Sequence, residues 1–380
     1  MPEGTVAFPH QPLLRVTGPI LECQILETAL LNIINFQSLI ATKAARTCLA
    51  AGDAAVLEFG LRRSQGIDGG LSASRAAYIG GCAATSNVLA GKLYNIPVKG
   101  TIAHSWIMSF DDELTAFETY AQTMPNNCVF LVDTYDTLEG VRKAVQIGKQ
   151  LRNRGHEMIG IRLDSGDLAY LSIEARRILD EADFYDAAIV ASNGLDEHLI
   201  ESLRYQGAKI SVWGVGTRLT TAFDEPALGG VFKLAAVADD DGNWIPKVKL
   251  SEQWIKTSTP GVQQVRRFRG KHGAIADMVF DETLGPSYDM IDPMDVTRRR
   301  DFDPDTQFDD LLIPVFAGGK RVSPPLALAD IRDRVRQQLE LFHDGVRRLS
   351  NPHRYPVGLE AELHQLKSQL VLEARGRSKN

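Results

Sequence analysis

Across residues 57–237, short apolar runs alternate with longer amphipathic stretches, the pattern expected when helices cover a parallel sheet through repeated βα units. The apolar runs are residues 56–61, 98–104, 128–133, 158–163, 187–191, 210–215 and 230–237. Between them lie helix-like stretches such as 138–154, which sets Val141, Val145, Ile147, Gly148 and Leu151 on one face at helical spacing. Seven strand candidates joined by six such connections favour a closed α/β barrel over an open sheet.

The flanks read differently. Residues 5–16 suggest a β segment and 21–51 a long helix rich in Leu, Ile and Ala. Short β-like pieces follow at 263–268 and 311–316, then polar helices at 326–345 and 358–374. The two chain ends are expected to pack together as a second, smaller α/β sandwich domain. This divides the chain into 1–52 (part of the sandwich and a linking helix), 53–245 (the barrel) and 246–380 (the remaining sandwich and helices).

Composition adds exclusions. With 44% hydrophobic and 24% charged residues the chain is neither a disordered nor a membrane type. Its net charge of -6 comes from interspersed signs, which gives no reason to expect nucleic acid or an anionic membrane as partner. Cys23, Cys48, Cys82 and Cys128 show no CxxC spacing and read as buried reduced thiols. No run approaches the ~20 uninterrupted apolar residues of a spanning helix, and the first residues lack signal-peptide order. The expected setting is cytoplasmic, and the expected partners are small molecules.

Several strand candidates end in polar or glycine-rich residues, where a barrel gathers its chemistry. Arg162, Asp164, Ser165 and Asp167 crowd one such end. An arginine fork can hold a carboxylate or phosphate, and two acids can hold ribose hydroxyls or Mg²⁺. Gly166 permits a sharp turn, and the plainer alternative is a strand-to-helix turn with Asp or Ser as N-cap. Gly214, Gly216 and Thr217 end another strand and could present backbone N–H groups to a phosphate, against the alternative of a simple turn. His104, beside Thr101 and Ser105, reads as a nucleophile or proton carrier, against a purely structural histidine. Of the adjacent Arg62 and Arg63, one is expected to hold phosphate or pyrophosphate while the other makes an ion pair. Lys233, Lys247, Lys249 and Lys256 are adequately explained as solvated strand ends.

Taken in order, these segments resemble the nicotinate phosphoribosyltransferases. The resemblance runs from Pro2-Glu3-Gly4 and Leu13-Leu14-Arg15-Val16-Thr17-Gly18-Pro19 through Leu26-Glu27-Thr28, Ala41-Thr42-Lys43-Ala44-Ala45-Arg46 and Gly60-Leu61-Arg62-Arg63. It continues with Thr85-Ser86-Asn87, Gly100-Thr101-Ile102-Ala103-His104-Ser105, Asp133-Thr134-Tyr135, Arg162-Leu163-Asp164-Ser165-Gly166-Asp167 and Ser192-Asn193, then the Gly214 to Thr217 turn and Leu228-Gly229-Gly230. It covers nearly the whole chain.

The resemblance implies an irregular type II phosphoribosyltransferase α/β barrel with an accompanying sandwich domain, normally a homodimer. It implies an enzyme of NAD biosynthesis that joins nicotinate to phosphoribosyl pyrophosphate, giving nicotinate mononucleotide and pyrophosphate. Mg²⁺ would be the cofactor and ATP a co-substrate, hydrolysed through a phosphohistidine at His104. Arg162 and Asp164 would share the catalytic work. Thr101, Arg162 and Ser105 would contact nicotinate, and Thr217, Gly214, Gly216, Asn193, Arg62, Arg63 and Asp167 would hold phosphoribosyl pyrophosphate. No metal ligands are assigned.

Two departures from the family pattern stand out. Relatives carry a further segment upstream of Pro2-Glu3-Gly4, including a tyrosine that stacks on the pyridine ring, so the chain reads as lacking that N-terminal part. Ala83-Ala84 stands where relatives commonly show aspartate. Two alternatives therefore accompany the transferase: a catalytically silent remnant or partner subunit, and a nicotinamide-specific phosphoribosyltransferase.

Overall fold

A computed structural model describes residues 1–253 and 256–377. The chain divides into two compact units, Ile34–Leu228 and a second formed by Met1–Ile33 with Gly229–Asn380.

The first unit holds the βα alternation. After α1 (Ile20–Ala51), whose second half belongs here, come β1 (Ala55–Glu58), a 3₁₀ turn (Leu61–Arg63), α2 (Gly66–Ile79), β2 (Ala84–Thr85), α3 (Val88–Tyr94), α4 (His104–Ile107) and α5 (Glu113–Thr123). Then follow β3 (Val129–Leu131), α6 (Thr137–Asn153), β4 (Gly160–Leu163), α7 (Leu168–Glu181), β5 (Ala188–Ala191), α8 (Glu197–Tyr205), β6 (Val212–Val215) and α9 (Thr217–Thr220). Aspartates at the N-caps set where four of these helices begin. Asp112, Asp136, Asp167 and Asp196 each accept from backbone N–H groups in the first turn of α5, α6, α7 and α8.

The six strands are parallel and lie in the order β2-β1-β6-β5-β4-β3. The first strand thus lies beside the last, with Ala55 opposite Val212 and Glu58 opposite Val215. A doubly wound sheet reverses its order in the middle. A circular order is that of an α/β barrel, here opened between β2 and β3. The segment after α3 lines the open side of β2: Thr85 N donates to Pro97 O at 3.0 Å and Lys99 N donates to Thr85 O at 3.0 Å. Among the described residues no strand pairing joins that segment to β3. The barrel is therefore irregular, and its strands read as continuous apolar runs because both faces are buried, the outer under helices and the inner within the barrel.

Two of the seven expected strands are corrected. Residues 98–104 form a single bridge at Val98 before the chain turns away and His104 opens α4. Of residues 230–237 only the last two are extended, in β7 (Ala236–Ala238), which pairs with β8 (Trp244–Pro246) as a hairpin in the other unit. In exchange β2 is gained, too short at two residues to register as a pattern.

The second unit also contains β9 (Gln263–Gly270), β10 (Gly273–Asp281), β11 (Asp289–Asp292), β12 (Asp295–Asp301), β13 (Gln307–Asp310), β14 (Phe316–Ala317), β15 (Lys320–Arg321), α10 (Leu328–Glu340), α11 (Asp344–Arg347), β16 (Val357–Glu360) and α12 (Ala361–Arg377). Its main sheet runs β12-β11-β16-β10-β9-β13. Its core is aliphatic around Val265, Val279, Leu311, Leu359 and Leu363, and aromatic where the Phe268 and Phe302 rings stack at 3.7 Å. Both chain ends meet here: buried Arg267 donates twice to Asp277 and once to Val6 O, and Gln11 donates to the same carboxylate at 2.5 Å.

Several details differ from expectation. Residues 5–16 form no strand, because Pro9 and Pro12 lack ladder donors and His10 takes a φ of 71°. Residues 358–360 belong to β16, so α12 starts only at Ala361. Residues 311–315 lie between β13 and β14. The unit boundaries fall at 33/34 and 228/229, against the 52/53 and 245/246 expected from the pattern of apolar runs. The second half of α1 packs on α2, closely enough that a Cβ on Gly80 would lie 2.4 Å from Ala41 O.

By length and composition alone, α1 is apolar enough to cross a membrane, with a mean hydropathy of 1.3 in its best window. Its apolar residues are interrupted by Asn32, Asn35 and Gln37, which is why no unbroken run is visible in the sequence. All four cysteines are free; Cys82 and Cys128 are buried, but Cys23 and Cys48 are only half-buried.

Candidate active site

The carboxyl ends of β3, β4 and β5 place their side chains against one another at one rim of the barrel. From β4, Arg162 reaches three partners: Nε donates to Ser192 Oγ at 2.9 Å, Nη1 to Thr101 Oγ1 at 2.7 Å and Nη2 to Asp164 Oδ1 at 3.0 Å. Ser192, at the end of β5, in turn donates to Asp164 Oδ1. The Thr101 hydroxyl arrives from the segment after α3, so that segment serves the site although it forms no full strand.

Asp133, just past β3, is the second acid. Its Oδ2 accepts from Asp164 N at 3.0 Å and from Ser165 Oγ at 2.5 Å. Its Oδ1 is buried and has no hydrogen-bond partner among the described residues. His104 lies between the two acids, with Nε2 3.9 Å from Asp133 Oδ1 and 3.6 Å from Asp164 Oδ2. The other ring nitrogen, Nδ1, sits 3.2 Å from Thr134 Oγ1. Burial by itself would raise the pKa of Asp164, but the Ser192 hydroxyl and the Arg162 guanidinium outweigh it and hold the carboxyl below its ordinary value. The result is an ionised acid beside an arginine whose orientation is set from three sides.

A second group gathers where β1 meets β6. Phe59 N donates to Val215 O at 2.8 Å, and Ser64 Oγ lies 2.5 Å from Thr220 Oγ1, so the turn carrying Arg62 and Arg63 is tied to the turn carrying Gly216 and Thr217. Buried Glu58 accepts from Gly60 N, from Ser74 Oγ at 2.9 Å and from Thr85 Oγ1 at 2.6 Å, anchoring the same turn from below. Gly214 is buried against Phe59, and a Cβ there would fall 2.8 Å from the ring. Phe59 also meets the first group, its ring centroid 5.9 Å from Arg162 Cζ.

The structure thus brings together Thr101, His104, Arg162 and Asp164 on one side, and Arg62, Arg63, Gly214, Gly216 and Thr217 on the other. Arg62 and Arg63 lie on a 3₁₀ turn rather than a strand, and both are exposed without a side-chain partner among the described residues, so neither makes the expected ion pair. Thr217 is exposed and opens a single helical turn. Asn193 is exposed in an unusual left-handed conformation at φ 92°. Ser105 is exposed and outside the Arg162 network. Asp167 follows the plainer alternative: its Oδ1 accepts from Ala169 N and Tyr170 N as the cap of α7, after Gly166 turns the chain at φ 76°.

Residue-by-residue reading of the sequence left out Asp133, Thr134 and Ser192 as site members. All three follow directly on apolar strands, and that polar-after-apolar position was the signal available.

Comparison with known proteins supplies the family. The model of the nicotinate phosphoribosyltransferase family matches residues 55–266, and that of the nicotinate phosphoribosyltransferase C-terminal domain matches residues 262–367. The nicotinate phosphoribosyltransferase of Bacillus subtilis is 44% identical over 392 residues, covering 99% of this chain and 78% of the relative. That of Dictyostelium discoideum is 38% identical, covering 98% of this chain and 73% of the relative. The crystal structure of human nicotinic acid phosphoribosyltransferase superimposes with a TM-score of 0.83 at 31% identity, covering 97% of this chain and 81% of that one. These matches span the barrel and the C-terminal sheet alike, and the chain belongs to the nicotinate phosphoribosyltransferase family.

Proposed function

We propose that the chain joins nicotinate to phosphoribosyl pyrophosphate, forming nicotinate mononucleotide and pyrophosphate in NAD biosynthesis. The observation that carries this reading is Arg162, a guanidinium held at a strand end by Thr101, Ser192 and Asp164, in a chain of this family. An acceptor-only carboxylate is the natural partner for such a group. The nicotinate ring nitrogen forms the new bond to the ribose carbon as the bond to pyrophosphate breaks. Positive charge grows on the ribose during that step, so the protein's task is to orient both substrates and stabilise charge. Arg162 and Thr101 hold nicotinate, and Asp164 faces the developing positive charge. Arg62, Arg63, Gly214, Gly216, Thr217 and Asn193 surround the phosphates and ribose. Asp167 belongs to the same set: it caps α7 through Oδ1, which leaves Oδ2 for a ribose hydroxyl.

His104 is assigned to ATP use. The carboxylates beside Nε2 favour the tautomer with its hydrogen there, leaving the Nδ1 lone pair next to the Thr134 hydroxyl as nucleophile. The γ-phosphoryl group passes to that nitrogen and ADP leaves.

Among the described residues no group of three or more His, Cys, Asp or Glu forms a ready metal site. Mg²⁺, however, needs only one or two carboxylates when a substrate phosphate completes its shell. The unpartnered Oδ1 of Asp133 and the neighbouring Asp164 suit it. When bound, Mg²⁺ would neutralise charge on the departing pyrophosphate. The same reading includes a homodimer, to which the exposed Ile20, Leu21 and Ile25 of α1 offer apolar surface, and a cytoplasmic setting.

The test is direct: incubate the purified chain with phosphoribosyl pyrophosphate, Mg²⁺ and ATP, with and without nicotinate, and quantify pyrophosphate and nicotinate mononucleotide. Equal amounts of both products, formed only when nicotinate is present, are expected. A folded chain that forms neither refutes the assignment and supports a silent remnant.

A further inference from the structure

We infer that Asp196 is a positioning residue that ties the loop carrying Asn193 to the turn carrying Thr217, acting through Arg218, and so sets the fit of the site to phosphoribosyl pyrophosphate. The inference rests on the function proposed above, which places Asn193 and Thr217 around that substrate.

The two sides of β6 are held unequally at its carboxyl end. Toward β1 the pairing runs on to Val215 opposite Glu58, and Phe59 N donates to Val215 O at 2.8 Å. Toward β5 it stops two residues earlier, at Ala191 opposite Trp213. Beyond that point one strand leads to Asn193 and the other to Thr217, and among the described residues no strand pairing joins them. The spacing of two loops that diverge in this way depends on side chains behind them.

Asp196 bridges the gap. It is buried, and its two oxygens serve different elements. Oδ1 accepts from Leu199 N at 2.8 Å as the cap of α8, which fixes the loop that carries Asn193. Oδ2 accepts from Arg218 Nη1 at 2.8 Å, and Arg218 directly follows Thr217 in the single turn of α9. The arginine is braced from its other sides: its Cζ lies 4.7 Å from the Phe223 ring centroid, and Nη1 lies 3.8 Å from Asp224 Oδ1. Asp224 is in turn paired with buried Lys43 of α1. Arg218 is thus engaged by acids behind the turn and serves as the handle by which Asp196 holds it. A displacement of about 1 Å in a substrate-holding group is enough to weaken its contacts severalfold or more.

The test compares wild type, Asp196→Asn, Arg218→Met and the double variant by calorimetric titration with phosphoribosyl pyrophosphate and Mg²⁺, and by steady-state kinetics. Asparagine caps a helix as well as aspartate does, but its amide NH₂ meets Arg218 donor to donor, so Asp196→Asn keeps α8 and cuts the bridge. It is expected to raise Kd and KM for phosphoribosyl pyrophosphate about tenfold, the scale of one hydrogen bond to a charged group. KM for nicotinate, and kcat at saturating phosphoribosyl pyrophosphate, should stay within about twofold, the signature of lost substrate binding rather than lost chemistry. Because the two residues act as one bridge, the double variant should bind no more weakly than the weaker single variant. Should the asparagine variant fold poorly, Asp196→Ser keeps a capping oxygen but is too short to reach Arg218, and the same loss is expected. Unchanged binding of phosphoribosyl pyrophosphate in these folded variants overturns the inference. So do losses that add fully in the double variant or fall equally on nicotinate. A loss confined to Arg218→Met also overturns it, since Arg218 would then hold phosphate itself. A wild-type chain that binds no phosphoribosyl pyrophosphate overturns the proposed function as well, whereas binding without turnover refutes that function alone and leaves the calorimetric comparison decisive for Asp196.

Discussion

Arg162 Nη2 donates to Asp164 Oδ1 at 3.0 Å, and the pair is mostly shielded from water, with side chains 16% and 24% exposed. Burial opposes ionisation of Asp164, but the Ser192 hydroxyl and Arg162 together lower its pKa. A carboxyl whose folded value is depressed adds stability above its ordinary value and loses it as pH falls through the lowered one. Asp164→Asn should therefore cost about 1–3 kcal/mol near neutrality. In thermal melts the gap between the variant and wild type should close as pH drops below ~4. A gap that stays constant down to pH ~3 would show that Asp164 is not ionised in this pair.

His104→Ala should remove stimulation by ATP while slow, ATP-independent formation of nicotinate mononucleotide continues, since His104 lies outside the Arg162 hydrogen-bond ring. The check is the initial rate at saturating nicotinate with and without ATP. Undiminished stimulation in the variant would remove His104 from the phosphoryl step.

Two glycines give opposite expectations for the barrel. A Cβ on Gly140 of α6 would stand 2.1 Å from Val132 O, a backbone atom that cannot yield cheaply, so Gly140→Ala should destabilise by roughly 1–3 kcal/mol. Gly69, within α2, has nothing within 4 Å of its would-be Cβ, and Gly69→Ala should stabilise by about 0.5–1 kcal/mol through helix propensity. Denaturant melts of both variants read the sign directly.

How far the sequence reveals such a molecule can be judged from particular residues. The helix 138–154 was legible because its apolar spacing and the Asp136 cap agree, and it is found as Thr137–Asn153 with Val141, Val145, Ile147, Gly148 and Leu151 buried. Residues 98–104 misled because β-rich composition does not report pairing: the chain touches β2 at Val98 and then leaves. Thr101 nevertheless reaches Arg162, because a site needs the side chain in place rather than a ladder. Asp167 and Asp133 illustrate the limit most sharply. Both are acids beside apolar strands, yet one caps a helix through Oδ1 and is exposed, while the other keeps a buried, unpartnered oxygen toward His104. Only three-dimensional hydrogen bonding separates them.

In the second unit Arg267 and Asp277 are 1% and 0% exposed and bonded through two nitrogens, with Tyr355 donating to the same acid at 2.9 Å. Removing one partner strands a buried charge, so Asp277→Ala should cost about 3–5 kcal/mol. Because Arg267 and Gln11 bind both Asp277 and the first residues of the chain, proteolysis should release the segment before α1 faster in that variant. Unaltered cleavage there would indicate that the pair does not anchor the chain's beginning.

The most direct test of the account is the ratio of kcat/KM for nicotinate to that for nicotinamide, measured on the wild-type chain with phosphoribosyl pyrophosphate. A guanidinium held by Thr101, Ser192 and Asp164 and offering only donors predicts a preference for nicotinate of at least about 100-fold, since the amide leaves charged donors unmatched. Equal values for the two substrates would contradict it.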